Sequence, residues 1–488
     1  MLKRLKIIGY KNIRACNIEF EHSLPLSAVI GSNGSGKSNL IEAILQILIG
    51  CYFEKPPPFD FRIEFEAQSR TVTLQREGSR TTAAVNGEHM SLANFAERLR
   101  DGPAQDLYPE LTFVYYSGEC RRVQRLVARY QRHFLKLTRS PETDRLRPLF
   151  VQSTNEQAQV ILLALFAHRH SDLLKRIQLE TITDVTIVLR SPDGYDPDQH
   201  EPKLWNTVGA IRRIVAAIDA SSATQEGLGI LEVPTEFSAT DGPRRRRLPK
   251  PIERRYHFLD APNSGIHALA KRLETSGDNI YLALESLRAR GMLRAVSFAL
   301  RGRGAAQGFG FDKLSEGEKQ LLAVVGALTL TSQRNSLVLL DEPDTHLNPH
   351  WSWDYPSMLA ETMPAKSKST VLIATHDPVM ISGMTADQVL LAHTDETGFT
   401  RPRRNPRGQG VANLLCSPEF FGLPSSLDKE TQKLLDERLA ISVKPELSGR
   451  DKARLKYLNE QIEILPGVSE RDPDFVAFLR DRDRSRAH

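Results

Sequence analysis

At 488 residues, with 40% hydrophobic and 26% charged side chains, the chain holds enough apolar mass for about two to four cores and has the make-up of a soluble globular protein. Its longest apolar stretches, residues 160–167 and 321–330, fall well short of the roughly 18 needed to cross a bilayer. A formal net charge of +5 supports weak attraction to anions at most, so any polyanion contact has to come from local clusters.

The N-terminus is positive at Met1-Leu2-Lys3-Arg4-Leu5-Lys6, but its apolar run ends too soon for a signal peptide. Cys16, Cys51, Cys120 and Cys416 stand apart without metal-ligand spacing, as expected of reduced, structural thiols. Both features predict a cytoplasmic protein. Residues 4–8 and 15–20 alternate as two strands of a sheet with one covered face. Residues 24–30 then read as a short apolar strand, and Gly31-Ser32-Asn33-Gly34-Ser35-Gly36-Lys37-Ser38 fills every fixed position of the phosphate-binding loop G-x-x-x-x-G-K-[ST]. Residues 39–49 repeat apolar side chains at helical spacing, which completes the strand-loop-helix context the motif needs. Glycines let the backbone curl so that N–H groups and the positive helix end converge on phosphate oxygens. The expected nucleotide contacts are therefore Asn33, Gly34, Ser35, Gly36, Lys37, Ser38 and Asn39. Lys37 is expected to reach the β- and γ-phosphates of ATP, and the Ser38 hydroxyl to hold Mg²⁺.

After a break at Pro56-Pro57-Pro58, residues 61–66, 71–75 and 83–87 predict a small antiparallel meander, and residues 111–116 a strand of the central sheet. From about residue 119 to 310 the pattern turns helical, with helices expected over 155–175, 205–217 and 266–291. No a/d heptad persists there for three or four repeats, which argues against a long coiled-coil arm. Residues 241–255, with Arg244, Arg245, Arg246, Arg247, Lys250, Arg254 and Arg255 among prolines, read as an exposed basic loop, a pattern that fits either a solvated face or nucleic-acid contact.

Chemistry returns at Leu314-Ser315-Glu316-Gly317-Glu318-Lys319-Gln320. A helix starting here would turn a hydroxyl, backbone N–H groups and its dipole toward an anion. Ser315 followed by Glu318 is also a capping box, and the two readings are compatible. A long helix is expected over 316–332 and buried strands over 336–340 and 370–374. The first strand ends in paired carboxylates at Asp341-Glu342: Asp341 suits a Mg²⁺-bound water, and Glu342 suits orienting and deprotonating the attacking water. The second leads to His376. A strand pair over 388–393 and 398–401 precedes the basic loop Arg401-Pro402-Arg403-Arg404-Asn405-Pro406-Arg407, and a charged helical tail follows from residue 426, with Leu427, Leu434, Leu435 and Leu439 expected on one helix face.

This succession resembles the ABC-type ATPases. Residues 314–320 look like the LSGGQ-type signature, 337–343 like a Walker B segment, Asp344-Thr345-His346-Leu347-Asn348 like the D-loop, and His376 like the switch histidine that contacts the γ-phosphate. The resemblance implies an α/β ABC-type P-loop ATPase head with an antiparallel β lobe, an inserted helical lobe and a C-terminal helical tail, divided at 1–118, 119–310, 311–425 and 426–488. It implies catalytic roles for Glu342, His376 and Lys37, and a metal site of Ser38, Asp341 and a Q-loop glutamine, for which Gln152 is the candidate. It also implies a homodimer in which two heads sandwich two ATP molecules, each phosphate loop facing the partner's Ser315 and Gly317. The motif order, the opening at Leu5-Lys6-Ile7-Ile8-Gly9-Tyr10-Lys11-Asn12-Ile13 and the missing transmembrane segment are similar to the RecF and SMC branch. Val114-Tyr115-Tyr116-Ser117-Gly118 and residues 341–349 are similar to the compact OLD and PtuA-type ATPases of anti-phage loci.

Three functions follow as expectations. One is a defence ATPase that senses DNA or phage cues and controls a separately encoded effector nuclease. In its tail Asp428, Asp436, Asp451 and Asp481 are present, but no apolar strand ends in acids to make a nuclease site. The second is a repair or recombination ATPase that binds DNA ends, with DNA contact open through Arg244 to Arg247 and Arg401 to Arg407. The third is a non-enzymatic scaffold that keeps ATP as a structural ligand.

Overall fold

A computed structural model describes residues 1–20, 26–101, 107–118, 121–137, 149–152, 155–192, 195, 204–223, 252–258, 265–275, 278–302, 304, 307–331, 335–362, 369–393, 398–444 and 446–463. Arg244 to Arg247, Lys250 and Asp481 lie outside them, whereas Arg254 and Arg255, expected in the same basic loop, stand in a strand paired with Leu189 and Val188. Residues 1–409 form one compact unit and residues 410–488 a second.

Strands β1 (Leu2–Tyr10) and β2 (Ile13–Glu19) make a hairpin whose buried positions alternate, the pattern of a sheet covered on one side. Every residue of β3 (Leu26–Ile30) is buried, as suits a central parallel strand. It runs through the glycine loop into α1 (Lys37–Tyr52), where Leu40, Ile41, Ile44, Leu45, Leu48 and Ile49 are at most 1% exposed. At about 1.5 to 3 kcal/mol per fully buried aliphatic side chain, this helix is a principal anchor of the head. The meander β4 (Asp60–Ala67), β5 (Arg70–Glu77), β6 (Arg80–Val85) and β7 (Glu88–Ser91) extends the hairpin into one six-stranded antiparallel lobe of order β2-β1-β4-β5-β6-β7, with α2 (Leu92–Asp101) behind it.

The chain returns to the centre at β8 (Leu111–Tyr116), leaves through α3 (Arg121–Leu137) and comes back as β9 (Phe150–Gln152). The insertion proper carries α4 (Asn155–Ala167), α5 (Ser171–Arg176), β10 (Leu179–Arg190), α6 (Gly209–Ser221), β11 (Glu253–Phe258), α7 (Ile266–Thr275), α8 (Ile280–Ala289), β12 (Leu293–Gly302) and β13 (Phe309–Gly310). Its helices were expected, but its four-stranded antiparallel sheet of order β11-β10-β12-β13 was not. The helix expected over 155–175 is two helices, split at Arg169, which has a left-handed backbone (φ 58°). The helix expected to begin at Trp205 begins at Gly209, because Trp205 and Asn206 are both left-handed and the indole is buried. The third expected helix divides at Asn279, whose side chain caps α8 by accepting from the Leu282 amide at 2.8 Å.

The second half of the head follows: α9 (Glu316–Leu321), five residues of π-helix at Leu322–Gly326, α10 (Ala327–Thr331), β14 (Ser336–Asp341), α11 (Pro349–Thr362), β15 (Thr370–Ala374), α12 (Pro378–Ile381), β16 (Val389–Ala392) and β17 (Phe399–Thr400). The central sheet has the order β17-β16-β3-β15-β14-β8-β9 and is parallel except for the edge strand β17. Strands from both sides of the insertion therefore interleave, which sets the ends of β3, β14 and β15 side by side.

The second unit contains α13 (Val411–Cys416), α14 (Lys429–Ser442) and α15 (Gly449–Glu463). Ile441, Leu458 and Ile462 form its core, with Leu434 and Leu435 packed against them. Leu439, expected on the same face, is 64% exposed. Asp428 caps α14 by accepting from the Glu430 and Thr431 amides, and Asp451 accepts from the Ser448 amide and hydroxyl, so both acids have structural work.

Candidate functional site

The phosphate loop is held by its own chain. Gly36 starts α1 at φ 101°, a left-handed geometry that favours glycine, and a Cβ there would lie a tight 3.1 Å from Asn12 Oδ1. The Asn12 amide donates to the Gly34 carbonyl and its oxygen accepts from Asn39 Nδ2 at 2.6 Å. Asn12 thus braces the loop from the β1–β2 turn. Lys37 is 5% exposed, and its ammonium donates to the Gly31 and Ser32 carbonyls at 2.8 and 3.1 Å; burial lowers its pKa. Ser35 Oγ is buried with no hydrogen-bond partner among the described residues, a polar atom that a bound anion would satisfy.

Across the strand ends, Ser38 Oγ donates to Asp341 Oδ1 at 3.0 Å. Asp341 ends β14 in register with Ala374 of β15 and Tyr116 of β8, and is 7% exposed. Burial pushes its pKa up to about 6, opposed by the Ser38 hydrogen bond. A buried carboxylate in that condition, paired with a hydroxyl, suits a divalent cation with oxygen ligands. No group of three or more His, Cys, Asp or Glu that could hold a metal occurs among the described residues.

Glu342 has a left-handed backbone, φ 49°, which costs of order 1 kcal/mol or more in a residue other than glycine. Its amide donates to the Ala374 carbonyl at 2.7 Å, and its carboxylate lies 3.3 Å from His376 Nδ1. The backbone turn and the strand pairing bring together the two residues that the sequence placed on separate strands. Both side chains are partly exposed, 35% and 53%, at the rim of the loop. Asp344 is buried behind them and accepts from Thr375 Oγ1 at 2.9 Å; burial pushes its pKa up to about 6.

Ser315 caps α9 with a full capping box: its hydroxyl accepts from the Glu318 amide at 3.2 Å, and the Glu318 carboxylate accepts from the Ser315 amide at 2.7 Å. Ser315 is exposed. Gly317 is buried, and a Cβ on it would lie 2.6 Å from the His346 carbonyl oxygen. Gln320 Nε2 donates to the Pro343 carbonyl, so α9 rests on residues 343–346 of the same chain.

Gln152 ends β9, paired with Val114, so β8 stands between it and β14. The residue just past β8, Ser117, donates its amide to the Asp341 carbonyl at 3.2 Å. In the second basic loop the Arg401 guanidinium donates to the Asp387, Val389 and Glu19 carbonyls, fastening β16 and β2, while Arg403, Arg404 and Arg407 are exposed. Among the described residues no helix is long and apolar enough to cross a membrane.

Two family models match the chain: "AAA domain" over residues 4–159 and "AAA domain, putative AbiEii toxin, Type IV TA system" over residues 210–382. The Septu protein PtuA of Bacillus mycoides is 27% identical over 161 residues, covering 31% of this chain and 22% of that protein. The Retron Vc95 probable ATPase of Vibrio cholerae is 29% identical over 135 residues, 25% of this chain and 26% of that protein. The DNA replication and repair protein RecF of Pasteurella multocida is 30% identical over 136 residues, 25% of this chain and 36% of that protein. The matched segments thus span 22% to 36% of these relatives' own lengths. Among solved structures, the SMC head domain from Thermotoga maritima aligns over 82% of this chain and 98% of that chain at 13% identity, with a TM-score of 0.34.

Proposed function

Taking the chain as an ABC-type P-loop ATPase head, similar to the RecF, SMC and OLD branch, we propose that it hydrolyses ATP as a switch in bacterial anti-phage defence. The observation that carries this reading is the meeting of Ser38, Asp341, Glu342 and His376 at neighbouring ends of β3, β14 and β15. Lys37 leaves the Gly31 and Ser32 carbonyls for the β- and γ-phosphates, while the loop amides and Ser35 to Asn39 hold the remaining oxygens. Ser38 and Asp341 would hold Mg²⁺, which would supply positive charge to offset the charge that develops on the phosphates. Glu342 orients the attacking water and takes its proton as the water oxygen bonds to the γ-phosphorus and the bond to the β–γ bridging oxygen breaks, releasing ADP; His376, 3.3 Å away, keeps the glutamate aimed at that water and meets the γ-phosphate.

Ser315 and Gly317 complete the site from a second copy, so the active form is a homodimer closed over two ATP molecules. Closure is the signal, and turnover resets it. The PtuA and retron ATPase matches support a place in defence, with a DNA or phage cue as trigger and a separately encoded nuclease as effector. The RecF match favours a second reading, a repair ATPase at DNA ends, whose head chemistry is the same.

The test is Glu342→Gln. Removing a positioned base is expected to lower turnover about 10²- to 10⁴-fold while ATP binding stays within twofold, and ATP is expected to hold the variant as a dimer in sedimentation. Wild-type turnover in this variant would refute the assignment, and turnover that vanishes with it excludes a purely structural ATP.

A further inference from the structure

Helix α3 separates its apolar mass from its charge. Val123, Val127, Tyr130 and Phe134 are at most 5% exposed and pack inward, Tyr130 meeting the rings of Phe150 at 4.9 Å and Tyr52 at 5.4 Å. Its sequence from Arg121 to Leu137 contains arginines at 121, 122, 125, 129 and 132 and no acid. At roughly 100° per residue, Arg121, Arg125, Arg129 and Arg132 fall within an arc of about 80°, opposite the buried four.

Three of the arginines have contacts within the protein, that of Arg132 being only a long hydrogen bond from its Nε to the Ala128 carbonyl one turn back on its own helix, at 3.4 Å. Arg129 lies over the Phe53 ring at 4.5 Å, and Arg122 stands 3.6 Å from the buried carboxylate of Glu42, which Lys11 also meets at 2.5 Å. Arg121, Arg125 and Arg132 are exposed. Along the axis, at about 1.5 Å per residue, the first two are about 6 Å apart and the outer two about 17 Å apart. That span is about five nucleotides of one strand of a duplex at about 3.4 Å each.

We propose that this face of α3 is a docking surface for duplex DNA, gripping the phosphate backbone through Arg121, Arg125 and Arg132. A row of guanidinium groups without acids attracts any phosphate backbone, so binding is independent of base sequence. The surface is also well placed to report. Helix α3 starts five residues beyond Tyr116, which pairs with Asp341, so in the ATPase reading, on which this consequence rests, DNA is held beside the hydrolytic end of β14.

The experiment uses the full chain and a labelled random duplex of about 30 base pairs, with anisotropy read between about 50 and 200 mM salt. The wild type is expected to bind with a linear log–log salt dependence. The triple variant Arg121→Gln, Arg125→Gln, Arg132→Gln is expected to shed about 2.7 from that slope, about 0.9 for each lost phosphate contact, and each single variant about a third of it. An unchanged slope in the triple variant, or no wild-type binding at the lowest salt, overturns the proposal. So does triple-variant loss of binding to vesicles rich in phosphatidylserine while DNA binding persists. DNA-free ATP turnover, measured on the same preparations, is expected to be equal in wild type and variant. If turnover is absent from both, the ATPase reading fails, and the slope still decides the docking surface.

Discussion

The phosphate loop and the signature loop each place a serine at the start of a helix, and the molecule treats the two in opposite ways. Ser38 is tied to the buried Asp341, its neighbour Lys37 is folded onto the loop's own carbonyls, and Asn12 braces the loop from another strand. Ser315 lies at the surface, with its hydroxyl and amide engaged by Glu318 of its own turn. The helix behind Ser315 is fixed on Pro343 and His346. The first loop is a cradle finished by its own chain. The second is a rigid mount that presents a hydroxyl outward, the arrangement needed if it serves a nucleotide held by another copy.

Changing one loop at a time puts this contrast to the test. The largest effect is expected from Lys37→Ala. Losing charge-assisted hydrogen bonds to phosphate is expected to weaken ATP binding by the single chain about a hundredfold or more, since each is worth about 1.5 to 3 kcal/mol. Calorimetry with ATP and Mg²⁺ checks it, and tight binding by the variant would remove Lys37 from the cradle. Gly317→Ala probes the other loop. The added methyl meets a backbone oxygen at 2.6 Å, so a loss of about 1 to 3 kcal/mol in stability is expected from overpacking. Single-chain ATP binding is expected to stay within twofold while turnover drops more than tenfold. If binding and turnover fall together, the two loops are not separable in the way described.

Asp344 behind both loops gives a smaller, pH-dependent effect. Burial raises its pKa from the ordinary 3.8 to about 6, so between those values the folded chain keeps a proton that the unfolded chain has lost. Stability therefore falls as pH rises from about 4 to 6, by up to roughly 3 kcal/mol at about 1.4 kcal/mol per pH unit. Asp344→Asn, which can still accept from Thr375, is expected to flatten that fall and to be the more stable form at pH 7. Denaturant melts at pH 4 and pH 7 read it directly, and a fall of the same size in the variant would assign the pH dependence to other groups.

The parts of the site legible in the sequence were those that local chemistry fixes. β3, β14 and β15 are short, wholly buried apolar strands, and the glycine loop and the Asp341-Glu342 pair stand directly at their ends. Asn12 was missed because its partner Gly34 is 22 residues away and nothing local marks a brace. The insertion's sheet was missed because β10 loses its alternation: its register with β12 shifts between Thr183 and Thr186, and Asp184 there is left-handed at φ 52°. The false long helices share a cause. Arg169 and Asn206 adopt turn geometry without being glycine or proline, so no breaker announced them. Leu439 had the right spacing yet stands 64% exposed, since spacing sets a direction and only packing decides what fills it.

The bond between Ser38 and Asp341 joins residues 303 positions apart, and the strands around it come from both sides of the insertion, β3 and β8 before it and β15 and β14 after it. Long-range pairing of this kind is slow, because loop entropy is lost before contacts repay it. During synthesis the phosphate loop emerges early and waits for Asp341 and β15, so a nascent chain stopped before residue 374 has a glycine-rich turn but no pocket. Nucleotide capture thus marks the end of folding, and a chain that binds ATP has already brought its two halves together.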